Sequence, residues 1–189
     1  MIVNFDDSPN GYICGHVEPF WIEDDYKNLS YEKTVKGLDT ELEKWFSMGY
    51  PKDTNFYGCL YDNRNPTPAF ATKFAEIFAD LSNMTYTFYK MTTATIMPEH
   101  VDHFTTYKKI FNVEDKNIVR ILVMLEDWKS GHYLEIDKKA FVNWSAGDYF
   151  IWKNHVSHSA ANIGAITYPR YTLQITGTLV NNKGYINDL

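Results

Sequence analysis

The feature that most restricts what this chain can fold into is its second half, where short β-prone runs follow one another with no helical segment between them. The pattern turns extended at about residue 84. Tyr86 to Ile96 is rich in aromatic and β-branched residues and stops at Met97-Pro98. Further strands are expected over 118–126, 132–137, 148–152, 156–162 and 170–179, with turn signals at Lys129-Ser130-Gly131, Ser145-Ala146-Gly147-Asp148 and Gly164. Closely spaced strands of this kind imply a mainly β fold, a double-sheet jelly roll or barrel. The run 170–179 alternates, with Arg170, Thr172, Gln174, Thr176 and Thr178 on one face and Tyr171, Leu173, Ile175, Gly177 and Leu179 on the other. Such a strand either lies at an edge with one wet face or turns its polar face into a ligand-holding barrel mouth.

The first half reads as support. Residues 1 to about 25 mix Pro9, Gly11, Gly15 and Pro19 with aromatic residues, a sign of short strands or an irregular lead-in. A helix is expected over about 30–48, with Ser30 as its cap and Val35, Leu38, Leu42 and Trp45 on one stripe; Gly49-Tyr50-Pro51 would end it. A second helix is expected over 68–82, with Phe70, Phe74, Ile77, Phe78 and Leu81 on its buried face. Aromatic stripes at this spacing are core, so both helices are expected to back a sheet. With no repeat, linker or low-complexity tract, the expectation is a single domain, 1–84 as helical support and lead-in and 85–180 as the β core.

Bulk properties exclude several function classes. The net charge of −6, without a basic block, argues against nucleic-acid binding. No apolar run is long enough to cross a bilayer, and the start lacks a basic segment followed by an apolar one. A cytoplasmic protein is expected, in a host cell's cytoplasm if the chain is phage-encoded. Cys14 and Cys59 then read as buried, reduced thiols rather than a disulfide. Oligomeric state is not legible.

The chemistry-bearing residues lie between Pro98 and Arg170. In His100-Val101-Asp102 the period of two sends both side chains to one face at a strand end, where both can meet one metal, whereas His103 points away. A third ligand has to come from a later strand, and His155 and His158 are both candidates. Two imidazoles and one carboxylate on one face of Fe(II) leave other positions open for small ligands. Arg170, on the next strand, can hold a carboxylate through two parallel charge-assisted bonds. His16-Val17-Glu18 is a rival triplet, close to chance in a chain with 6 His and 24 acidic residues.

Residues 91–178 resemble the double-stranded β-helix core of the 2-oxoglutarate- and Fe(II)-dependent oxygenases, in particular small phage-like and prolyl- or aspartyl-hydroxylase-type members. The matching pieces are Pro98-Glu99-His100-Val101-Asp102, Trp144-Ser145-Ala146-Gly147-Asp148, His158-Ser159-Ala160-Ala161-Asn162-Ile163-Gly164 and Arg170-Tyr171-Thr172-Leu173. The resemblance covers about half the chain. It implies that His100, Asp102 and His158 bind Fe(II), with His155 as the fallback, and that Arg170 holds the distal carboxylate of 2-oxoglutarate. It also implies that O₂ is consumed, that 2-oxoglutarate leaves as succinate and CO₂, and that a substrate C–H bond is oxidised. The substrate would be a protein or peptide side chain, of prolyl or aspartyl/asparaginyl type, or a small molecule. Tyr107, Arg120, His132 and Gln174 are expected to line the mouth, Tyr107 and Gln174 with the co-substrate, and Trp152 and Asn162 to support His158. Arg120 interrupts an apolar run, so an ion pair to an acidic neighbour is as good an expectation as a substrate contact. The stretch His103 to Lys109 is a candidate lid.

Two other readings stay open from the residues alone. A non-redox cupin-like module binding a sugar or small acid would explain the strands but would need no Arg170. A metal-dependent isomerase or hydrolase on the same core would call for more histidine ligands, which His103 or His155 could supply.

Overall fold

The computed structural model describes residues 11–33 and 39–180. The elements run β1 (Tyr12–His16), α1 (Glu23–Lys27), β2 (Glu32–Lys33), α2 (Asp39–Ser47), β3 (Cys59–Tyr61), α3 (Ala69–Thr72), α4 (Phe74–Ile77), β4 (Leu81–Met91) and β5 (Thr95–His100). They continue with α5 (Thr105–Phe111), β6 (Ile118–Met124), β7 (His132–Ile136), β8 (Lys139–Phe141), β9 (Asp148–Lys153), β10 (His158–Asn162) and β11 (Arg170–Leu179). Two antiparallel sheets result. One has seven strands in the order β1-β9-β6-β11-β4-β3-β2, and the other has four, β5-β10-β7-β8. This is a double-stranded β-helix of the jelly-roll type, as the strand spacing implied.

The large sheet is covered on both faces, and the alternation of its strands sorts side chains between them. Val119, Ile121 and Val123 of β6, Tyr149 and Ile151 of β9, and Leu173 and Ile175 of β11 join one core with Trp21, Phe70, Phe74 and Phe78. Leu122, Met124, Phe150, Trp152, Tyr89 and Met91 point the other way, into a second core with Leu134, Ile136 and Ala160 of the small sheet. Arg170, Thr172 and Gln174 share that inward face, since each lies one residue from a helix-side neighbour. The edge-strand reading of 170–179 therefore fails. β11 lies between β6 and β4, and its polar face is enclosed rather than wet.

The N-terminal expectations need correction. Ser30 does not cap a helix. Glu32 and Lys33 pair as β2 with Leu60 and Cys59, so strand pairing overrides helical propensity there. The helix begins at Asp39, and Val35, Gly37 and Leu38 lie outside the described residues. Trp45 is buried as expected, and Gly49 ends the helix with φ 99°, a left-handed conformation that favours glycine. The helix expected over 68–82 is two single turns, α3 and α4. Phe78, at φ −105° and ψ 56°, ends the second, and Leu81 opens β4 because it pairs with Leu179. Phe70, Phe74 and Phe78 are core all the same. The single run 86–96 is broken at Thr92-Thr93-Ala94, where Ala94 takes φ 59°, and this turn passes the chain from one sheet to the other. Cys14 and Cys59 are free, but Cys14 is exposed and Cys59 half-buried rather than both buried. No helix among the described residues is long and apolar enough to cross a membrane.

Candidate metal centre and its cavity

β5 ends on His100 and β10 begins on His158, and the two are Cα partners in adjacent antiparallel strands. Their rings stand 4.3 Å apart. Asp102 follows two residues after His100, so one strand end delivers a histidine and a carboxylate to the same place. The ligand atoms of His100, Asp102 and His158 all lie within 4.8 Å of one another, and theirs is the one such His/Cys/Asp/Glu group found among the described residues.

Both imidazoles are oriented by backbone. His100 Nδ1 lies 2.8 Å from the Pro98 carbonyl oxygen and His158 Nδ1 lies 3.2 Å from that of Val156. Each Nδ1–H donates to that carbonyl, which leaves the Nε2 lone pairs for a metal. Burial is the largest influence on His158 and pushes it down to about 4 against the pull of Asp102, so it is neutral near pH 7. Burial alone would raise the Asp102 carboxyl. Arg120, His158 and His100 together outweigh it and hold Asp102 well below the usual carboxylate range. Two imidazoles and a carboxylate are a donor set that suits a divalent first-row ion.

The triad opens into a cavity of about 500 Å³ between the sheets. Arg170 lines it and is 3% exposed. Its Nη1 donates to the Tyr133 carbonyl at 2.7 Å, while Nε has no partner among the described residues. Thr172 lines the same wall, and its buried Oγ1 is likewise unpartnered. Burial pulls the Arg170 guanidinium down to about 10, still cationic at neutral pH. Tyr89, the cross-strand partner of Thr172, completes this corner. Its hydroxyl accepts the Gly58 N–H at 2.6 Å, which leaves its own proton to donate. Burial raises that phenol to about 12, so it stays protonated. A cation and two hydroxyls with spare bonding capacity in a dry corner match an anionic ligand such as a carboxylate.

The other expected residues are distributed as follows. Gln174 lines the cavity, as do Arg120 and Trp152, whose ring lies 4.8 Å from that of His158. Arg120 makes the ion pair that its place in an apolar run demanded, to Asp102. Tyr107 stands away from the cavity; its hydroxyl bonds the Asn83 carbonyl and Thr178, and its ring packs with Phe104 and Ile118. His132 is buried against the Tyr168 carbonyl, and Asn162 donates to the Met91 and Tyr168 carbonyls. His155 is exposed in a turn, and His103 reaches the cavity rim. The expected lid loop is largely helix α5, tied down through Tyr107, and no α5 residue lines the cavity. His16 bonds Asp148 at 2.8 Å and lies 3.8 Å from Glu18. Sequence reasoning missed Tyr89 and Thr172, although the shared parity of Arg170 and Thr172 was visible. It also missed the wall made by Trp45 of α2 and Tyr57, which had no legible signal.

Fold and site together define a double-stranded β-helix protein with a His-Asp-His triad whose ligand atoms are placed to hold one metal ion. No protein-family model and no curated protein matches the sequence. Solved structures do match. A prolyl-4-hydroxylase from Pseudomonas putida aligns with a TM-score of 0.52 at 15% identity, over 89% of this chain and 92% of that one. The non-heme alpha-ketoglutarate-dependent carbocyclase SnoK from nogalamycin biosynthesis aligns with a TM-score of 0.51 at 11% identity, over 89% and 79%. The epimerase SnoN, described in the same terms, aligns with a TM-score of 0.51 at 11% identity, over 95% and 84%. The chain has the fold of these enzymes.

Proposed function

We propose that this chain is an Fe(II)- and 2-oxoglutarate-dependent dioxygenase that hydroxylates a C–H bond of a peptide side chain or small molecule. One observation carries the reading: the His100, Asp102 and His158 triad shares a cavity with Arg170, a buried cation whose Nε has no partner among the described residues. A metal-binding module without an acidic co-substrate has no use for that cation. The same fold serves a hydroxylase, a carbocyclase and an epimerase, so the fold does not choose the reaction, and the residues have to.

His100, Asp102 and His158 would hold Fe(II), and the Nδ1 bonds to Pro98 and Val156 keep the histidines in the ligating tautomer. Arg170, with Thr172 and Tyr89, would take the distal carboxylate of 2-oxoglutarate and so aim its 2-oxo acid end at the triad. When bound, Fe(II), 2-oxoglutarate and O₂ supply the oxidising power, with succinate and CO₂ as by-products. Met97, Leu122, Leu134, Trp152 and Ala160 exclude water around the reacting atoms. Glu41 and Lys44 of α2, with His103, give the mouth a polar rim suited to a polar substrate.

The test is anaerobic titration of Fe(II)-loaded protein with 2-oxoglutarate, followed through the visible charge-transfer band of a chelated 2-oxo acid. The band is expected in wild type, absent in His158→Ala, and reached only at much higher 2-oxoglutarate in Arg170→Ala. No band in folded, iron-loaded wild type would refute the proposal.

A further inference from the structure

Asp102 differs from the two histidines in how it is held. His100 and His158 stand on strands with Nδ1 bound to backbone. Asp102 lies beyond the end of β5 in a stretch without regular structure. What orients its carboxylate is Arg120, whose Nε donates to Oδ2 at 3.1 Å and whose Nη2 donates to Oδ1 at 3.3 Å. Two bonds from one planar group fix the plane of the carboxylate as well as its position. Arg120 is itself fixed by groups outside the triad. Its Nη1 donates to Thr176 Oγ1 at 2.5 Å, and Thr176 is its cross-strand partner on β11. The Phe104 ring lies 5.1 Å from the guanidinium carbon.

On charge alone this arrangement opposes metal binding, because a cation on a ligand carboxylate weakens the donor and repels a divalent ion. On orientation it favours binding, because the carboxylate is already aimed at the histidines. We propose that orientation dominates and that Arg120 is a positioning residue, acting through Asp102 to assemble the centre before a metal arrives. The inference rests on the metal-site reading above.

The opposite signs of the two effects supply the test. Mn(II) binding to wild type, Arg120→Met and Arg120→Lys is followed by the electron paramagnetic resonance signal of free aqueous Mn(II), without co-substrate or turnover. Arg120→Met removes both the charge and the fork. Its affinity is expected to fall about 10- to 100-fold, the usual loss when a group orienting a ligand is removed. Arg120→Lys keeps the charge without the planar fork and is expected to recover none of that loss. Thr176→Val leaves the ion pair but removes its anchor, and a smaller loss is expected there. Undiminished affinity in Arg120→Met, or full wild-type affinity in Arg120→Lys, would overturn the inference. If Arg120→Met does not fold, unchanged affinity in Thr176→Val overturns it instead. Absence of Mn(II) binding in wild type would sink the metal site itself, an outcome distinct from an unaffected Arg120 variant.

Discussion

Replacing Arg170 by methionine should weaken 2-oxoglutarate binding while changing the stability of the fold little. Arg170 is buried, makes one bond to the Tyr133 carbonyl, and leaves Nε unsatisfied. Exchanging a buried, poorly paired charge for an apolar side chain of similar volume is often neutral or stabilising by ~1–4 kcal/mol. Losing the charge-assisted Tyr133 bond costs ~1.5–3 kcal/mol in the other direction. The two effects roughly cancel, so the unliganded variant should stay within about 2 kcal/mol of wild type by denaturant unfolding. Under the proposed function, 2-oxoglutarate binding changes the other way. Two charge-assisted bonds to a carboxylate are each worth ~1.5–3 kcal/mol, so their loss predicts a dissociation constant for 2-oxoglutarate raised by at least about 100-fold. Calorimetric titration of the Mn(II)-loaded proteins measures it. A variant that is clearly destabilised yet binds 2-oxoglutarate normally would show that Arg170 is a structural cation and refute the reasoning.

Other consequences follow from the same geometry. Burial lowers His132 and His158 from 6.5 to about 4. The unfolded chain therefore binds more protons between these values, and metal-free stability should be full above about pH 6.5 and fall as the pH drops towards 4, by up to roughly 3 kcal/mol per histidine. Denaturant midpoints across that range check this, and His132→Gln should remove about half of the slope. Gly58→Ala would place a Cβ 2.1 Å from the Lys90 carbonyl oxygen and displace the N–H that holds Tyr89, so a loss of ~1–3 kcal/mol with weaker 2-oxoglutarate binding is expected. Phe74→Ala empties a fully buried site on the helix side of the large sheet and should cost ~3–5 kcal/mol. In folded protein it should leave Mn(II) affinity unchanged, which binding below the unfolding transition would verify.

Much of the β half is legible in sequence because strand alternation is a local property. The helix-side residues of β6, β9 and β11 and the inward parity of Arg170, Thr172 and Gln174 follow from a period of two. His100 and Asp102 are close because they are two residues apart, but β5 ends at His100 and the Asp102 carboxylate is held by Arg120 rather than by strand alternation. The N-terminal half is less legible because distant pairing sets its boundaries. β2 exists because β3 is beside it, and Leu81 opens a strand because Leu179 lies opposite.

Sequence alone determined the kinds of chemical group available and the faces on which they lie, since backbone geometry dictates both within a strand. It preferred His158 to His155 only through a family resemblance, and it left the polar face of β11 either wet or enclosed. Tertiary structure decided those questions. The antiparallel register of β5 and β10 sets His158 against His100 and leaves His155 in an exposed turn. The central place of β11 encloses Arg170, and the pairing of β11 with β6 sets Thr176 beside Arg120, which in turn reaches Asp102. Register between strands far apart in the chain is a property of the packed molecule. The cavity, its buried cation and the clamp on Asp102 all depend on it.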